Sequence, residues 1–260
     1  MFKLIRNDSI KNKNYTMSKI IKTLTCILLF VTFYLSANAA GDKDLGVVLL
    51  PNLECKNMAN NLTEKIKNKV PVHYLSNAIE LDFHPHCTLI HIANQNESNQ
   101  KEIVAQFNKF YQTHKGVCIQ LPIKDIAATG GNTKQGFKWF DIQFDASDAL
   151  LKLRQEVISK FSPYNIGMLE RMNDDFENLT SKQKDEVKKY GVSITPYIPH
   201  ITAWYINLPN QTKSTELYTI TQSLKKDLQY TKCYAEYIAI AELGRNGNAV
   251  NIVEQKRLCE

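Results

Sequence analysis

Two ten-residue stretches of this 260-residue chain repeat one pattern. Residues 83–92 read Phe-His-Pro-His-Cys-Thr-Leu-Ile-His-Ile, and residues 197–206 read Tyr-Ile-Pro-His-Ile-Thr-Ala-Trp-Tyr-Ile. They align without gaps on an aromatic start, Pro-His-x-Thr and a final Ile. The chain holds only six histidines, so two coincident copies carry information that one histidine would not. On a strand, residues two apart share a face. His86 therefore projects with Thr88, and His200 with Thr202, while Cys87 and Ile201 face the other way. A proline suits the first position of a strand, which is where Pro85 and Pro199 stand. If both copies face one cleft, two imidazoles near neutrality can serve as general base and general acid. Two hydroxyls can donate hydrogen bonds to an anion between them. That set fits in-line displacement at phosphorus, and it calls for no metal and no other cofactor.

Other readings of the same residues are weaker. A single H-x-T is more often a strand with a buried, hydrogen-bonded histidine; the duplication reverses that balance. His84, His86 and His91 invite a metal site, but His91 falls on the opposite face from the other two. The second copy also replaces His84 and His91 by Ile198 and Tyr205. Cys87 as a nucleophile fails on parity, because it points away from His86, as a core thiol would. The Gly130-Gly131 loop lacks the spacing and the Lys-Ser/Thr of a phosphate-binding loop. Among the nearby aromatics Trp204, Tyr197, Trp139 and Phe137, we expect Trp204 or Tyr197 to stack on a base.

Pro85-His86-Cys87-Thr88-Leu89 and Pro199-His200-Ile201-Thr202-Ala203 resemble the paired H-x-[ST]-hydrophobic motifs of the 2H phosphoesterase superfamily. That group includes the bacterial 2′-5′ RNA ligase-like and RNA 2′,3′-cyclic phosphodiesterase proteins. The resemblance covers most of 44–258. It implies a bilobal, pseudo-twofold α+β fold, with two antiparallel sheets flanked by helices around a central cleft. It also implies that His86 and His200 form the acid–base pair and that Thr88 and Thr202 hold the phosphate. The substrate implied is a phosphodiester of a small nucleotide or an RNA end. Two departures stand out: Ala203 is smaller than the usual aliphatic residue, and 162–195 lengthens the gap between motifs.

Elements that would position the motifs follow from periodicity. Strands are expected at 46–50, 87–93, 117–121, 137–144, 200–206, 232–242 and 249–257, the last two joined as a hairpin. Cys55, Ala59, Leu62, Ile66 and Val70 recur at helical spacing, with Asn52 as a cap. Ile103, Val104, Phe107, Phe110, Tyr111 and His114 mark a second helix. Leu150, Leu153, Val157 and Phe161 give the inner face of a third over 147–161, and a fourth is expected over 213–228. The polar stretch 162–195 reads as a partly helical insertion. Alternation without dinucleotide-binding punctuation indicates α+β with antiparallel lobes.

Charge depends on the first forty residues. Six Lys and Arg, against Asp8 alone, precede an apolar run from Leu24 to Leu35 and then Ser36-Ala37-Asn38-Ala39-Ala40. This is the pattern of a secretory signal peptide, 1–39, cut after Ala39. The whole chain carries +6; without that segment 26 basic residues face 25 acidic ones. A mature chain near +1 gives no electrostatic case for long nucleic-acid tracts. With 43% hydrophobic residues, intrinsic disorder is excluded. Export permits disulfides among Cys55, Cys87, Cys118, Cys233 and Cys259; an odd number leaves at least one thiol, and the pairing is open. The expectation is a single domain over 40–260, a secreted or periplasmic monomer without stable membrane association, acting as a phosphoesterase. The alternative is a secreted nucleotide- or RNA-binding module of the same fold without turnover.

Overall fold

The computed structural model describes residues 43–69, 84–130, 137–169, 172, 176–207, 214–225, 232–244 and 247–259. The chain divides into two compact units, Met1–Asp42 and Lys43–Glu260, and every described residue belongs to the second. The expected signal peptide lies outside the described residues. Among them, no helix is long and apolar enough to cross a membrane.

The fold is α+β, with two antiparallel sheets flanked by helices. In the first sheet β1 (Lys43–Pro51) lies between β2 (Cys87–Gln95) and β7 (Tyr234–Leu243). β7 also pairs with β8 (Ala249–Arg257) and, at its start, with the two-residue β3 (Ile119–Gln120). The second sheet has the order β4 (Ile123–Gly130), β5 (Phe137–Phe144), β6 (His200–Asn207). β1 is buried on both faces from Leu45 to Pro51: Leu45, Val47 and Leu49 share one face, and Val48 and Leu50 the other.

The first three helices present the expected stripes along their described residues. α1 (Leu53–Lys69) buries Cys55, Ala59, Leu62 and Ile66, and α2 (Glu97–Gln112) buries Ile103, Phe107 and Phe110. α3 (Asp148–Phe161) is capped by Ser147 and buries Leu150, Leu153, Val157 and Phe161. α4 (Ser181–Tyr190) opens on a capping box of Thr180 and Gln183 and ends at Gly191, whose φ of 75° suits glycine. α5 (Ser214–Lys225) lies against β4. The helices cross between lobes: α1, which follows β1, packs on β6, and α3, which follows β5, packs on β2.

Three local expectations need correction. Asn52 does not cap α1: its side chain donates to the carbonyl of Lys232 and accepts from the amide of Tyr234, tying β1 to β7. The strand expected at 117–121 shrinks to Ile119–Gln120 before Pro122, which has no amide proton to pair. β4 occupies residues expected to be loop. Lys124-Asp125 and Ala127-Ala128 lack strand-forming side chains, and β4 is an edge strand, where such residues are tolerated. Gly131 of the expected Gly130-Gly131 loop lies outside the described residues.

The open cysteine pairing resolves as Cys55–Cys233 and Cys118–Cys259, with Cys87 free and buried. Both bonds fasten the ends of β7 and β8 to the first sheet's surroundings, and they close chain separations of 178 and 141 residues. Replacing either pair by alanines is expected to lower stability by about 2–5 kcal/mol, read from denaturant titrations in which the m-value rises as the unfolded chain is released.

Candidate active site

Both motifs open a strand. Pro85 and His86 immediately precede β2, and Pro199 immediately precedes His200, the first residue of β6. The carbonyl of Pro199 accepts from the amide of Phe144 at 2.9 Å, and the amide of His84 donates to Ala249 at 2.9 Å. These bonds anchor each motif to its neighbouring strand.

The two histidines are locked in the same way. His86 Nδ1 lies 2.7 Å from the carbonyl of His84, and His200 Nδ1 lies 2.7 Å from the carbonyl of Ile198. A carbonyl can only accept, so each Nδ1 carries the proton, and in the neutral ring Nε2 is the basic nitrogen. His86, Thr88, His200 and Thr202 all line one cleft of about 390 Å³. The structure thus brings together the four residues read from the duplicated motif.

The imidazoles differ in environment. His86 is 9% exposed and His200 half-buried. Burial holds the His86 pKa down to about 4, with nearby His200 pushing the same way and backbone hydrogen bonds at His84 and Gly247 opposing it. The sign of the linkage is definite. An unfolded histidine takes up a proton near pH 6.5, whereas folded His86 does so only near 4, so this stability is present above 6.5 and lost as pH falls to 4. Wild type is expected to lose on the order of 3 kcal/mol across that window through this group. His86→Gln should flatten the corresponding part of the stability–pH curve.

A shared β-bulge explains where the neighbouring side chains go. In the first sheet Thr88 pairs with Val48 and Ile90 with Val47; in the second Thr202 pairs with Asp141 and Trp204 with Phe140. Leu89 and Ala203 are the extra residues, at the same motif position in each lobe. A bulge turns the strand by one face. Trp204 therefore lands beside buried Phe140, with ring centroids 6.0 Å apart, and is 2% exposed. This corrects its expected role: Trp204 is core, not a stacking surface. Tyr197 does line the cleft, but the Arg154 guanidinium covers its ring at 3.9 Å. Trp139 lines the cleft from β5, whereas the side chain of Phe137 lies outside what is described.

Several cleft residues were not singled out from the sequence. Asp141 is 4% exposed and accepts a hydrogen bond from Thr202 Oγ1 at 2.8 Å. An acid within the apolar run 137–144 was the available signal. Arg154, beside the inner stripe of α3, donates to the carbonyls of Leu89 and Ile194. The stretch expected as an insertion supplies a wall of the cleft through Val192, Ser193 and Ile194. Glu186 of α4 holds that wall, accepting from the hydroxyls of Ser193 and Thr195 and the amides of Ile194 and Thr195. Burial raises its carboxyl, yet these hydrogen bonds outweigh burial and leave the pKa below the ordinary value.

Cys87 is sealed in the core, where burial raises its thiol pKa to about 11, and the Tyr197 hydroxyl lies 3.6 Å from its sulfur. It is not an available nucleophile. Among the described residues no group of three His, Cys, Asp or Glu side chains gathers in a metal-binding arrangement.

No protein-family model matches the sequence, and no curated protein does. Among solved structures the chain is similar to TT0787 of Thermus thermophilus, at 14% identity over 83% of this chain and 97% of that one, with a TM-score of 0.43. It is also similar to Usb1 of Kluyveromyces marxianus with uridine monophosphate, at 12% identity over 84% and 99%, with a TM-score of 0.42. Another structure of that Usb1 gives 9% identity over 84% and 99%, with a TM-score of 0.44.

Proposed function

We propose that this protein is an exported, metal-independent phosphodiesterase of the 2H type, opening a 2′,3′-cyclic phosphate or a related phosphodiester of a nucleotide or RNA end. The observation that carries the proposal is the matching Nδ1–H lock on His86 and His200, two histidines from two lobes that line one cleft. One imidazole takes a proton from water as its oxygen bonds to phosphorus. The other gives a proton to the ribose oxygen as its bond to phosphorus breaks. Atoms and charge balance without a further reactant. Burial keeps His86 unprotonated at neutral pH, the state a general base requires, and in this reading the acid's role falls to the second motif histidine, His200.

Disulfides that tie the first lobe support an oxidising compartment, and so support export. The cleft volume suits a nucleotide-sized ligand rather than a nucleic-acid tract. The test is an assay of the purified protein on 2′,3′-cyclic nucleotides and short cyclic-phosphate-ended RNA, with and without EDTA. Turnover that persists in EDTA and disappears in His86→Ala and His200→Ala is expected. Binding without turnover in the wild type would favour the non-catalytic module, and loss in EDTA restored by zinc would overturn the mechanism.

A further inference from the structure

The two halves differ at the residue that pairs with each motif threonine. Because the bulges coincide, Val48 beside Thr88 and Asp141 beside Thr202 occupy equivalent places, each on its threonine's face of the sheet. Val48 is fully buried and offers no polar side-chain atom. Asp141, 4% exposed, receives the hydroxyl proton of Thr202 at 2.8 Å. A hydroxyl has one proton and two lone pairs. Thr202, with its proton turned to Asp141, presents lone pairs to the cleft. Thr88, with a valine beside it, keeps its proton available for the cleft.

A lone pair repels a phosphate oxygen and attracts the proton of a hydroxyl. Resting on the phosphodiesterase reading above, we propose that Asp141 gives the cleft a polarity: the Thr88 half holds a non-bridging phosphate oxygen, and the Thr202–Asp141 half holds the proton-bearing oxygen, water or ribose hydroxyl, on its side of phosphorus. Asp141 acts through Thr202 and is a positioning residue. Its charge also discriminates between ligands. A phosphomonoester dianion meets about twice the repulsion that a phosphodiester monoanion meets at the same place. The substrate class favoured is therefore a monoanionic phosphodiester, and the ring-opened monoester is disfavoured, which helps it leave.

Binding of inorganic phosphate at pH 7, measured by calorimetry, tests this without requiring turnover. Thr88→Val is expected to weaken phosphate roughly tenfold, and Thr202→Val no more than about twofold. Asp141→Asn, which keeps an oxygen for the Thr202 proton but removes the charge, should tighten phosphate about tenfold. Thermal unfolding of each variant controls for folding. In steady-state assays on a cyclic nucleotide, Asp141→Asn and Thr202→Val should lower kcat by similar factors, and the double variant should fall no further. Equal weakening of phosphate by the two threonine variants would overturn the proposal, as would additive kcat losses. So would unchanged or weaker phosphate binding in Asp141→Asn, or no binding in either that variant or the wild type. If the wild type opens no cyclic phosphate, the functional reading fails, and the phosphate affinities alone then decide the polarity.

Discussion

Replacing His86 or His200 by alanine is expected to lower turnover of a 2′,3′-cyclic nucleotide by roughly 10²–10⁴-fold for each, with KM nearly unchanged. The size follows from losing one positioned proton transfer while the rest of the cleft stays in place. The double variant should fall well short of the product of the two losses, because the histidines act as a unit. The pH profile separates a chemical role from a structural one. With burial holding His86 to about 4, the acid limb of kcat/KM should lie well below the ordinary histidine range. An acid limb near 6.5 would contradict His86 as the base. A His86→Gln variant that keeps its fold but retains full turnover would end the acid–base account altogether.

The motif itself was legible because strand parity holds from His86 to Thr88 and from His200 to Thr202. Parity fails one residue later. The bulge at Ala203 turns Trp204 to the core, so a period-two reading places it on the wrong face. Nothing local marks that bulge; it is visible only once β5 and β6 are paired. The same holds for Asp141, which was an acid in an apolar run until its cross-strand partner proved to be Thr202. Helix faces were read well because Leu150, Leu153, Val157 and Phe161 repeat over a whole helix, where one side chain cannot mislead. Disulfide pairing depends on which strands lie side by side, and the sequence alone left it open.

The second large effect is expected at Arg154, a residue outside either motif. Each bulge leaves a carbonyl that the ladder does not use, and in each lobe a helix from the other lobe satisfies it. Thr63 of α1 donates to the carbonyl of Ala203 at 2.6 Å, and Arg154 of α3 donates to that of Leu89 at 3.3 Å. Arg154 does more than its counterpart. It also donates to the carbonyl of Ile194 at 2.8 Å and lies on the ring of Tyr197, whose hydroxyl donates to the carbonyl of Thr88 at 3.3 Å. One guanidinium therefore joins the strand carrying His86 to the segment that delivers His200. Arg154→Ala strips a donor from two carbonyls and removes a cation from an aromatic face, costing about 2–4 kcal/mol in stability. A displacement of the motifs by about 1 Å would lower kcat on the order of 10²-fold with a smaller change in KM. Arg154→Lys keeps the charge but not the planar fork, so it should recover only part of either loss. Thr63→Ala removes one hydrogen bond and is expected to cost about 1 kcal/mol. Denaturant titrations and steady-state kinetics on these variants decide the matter: equal effects of Thr63→Ala and Arg154→Ala, or full recovery by lysine, would show that Arg154 does not hold the two motifs in register.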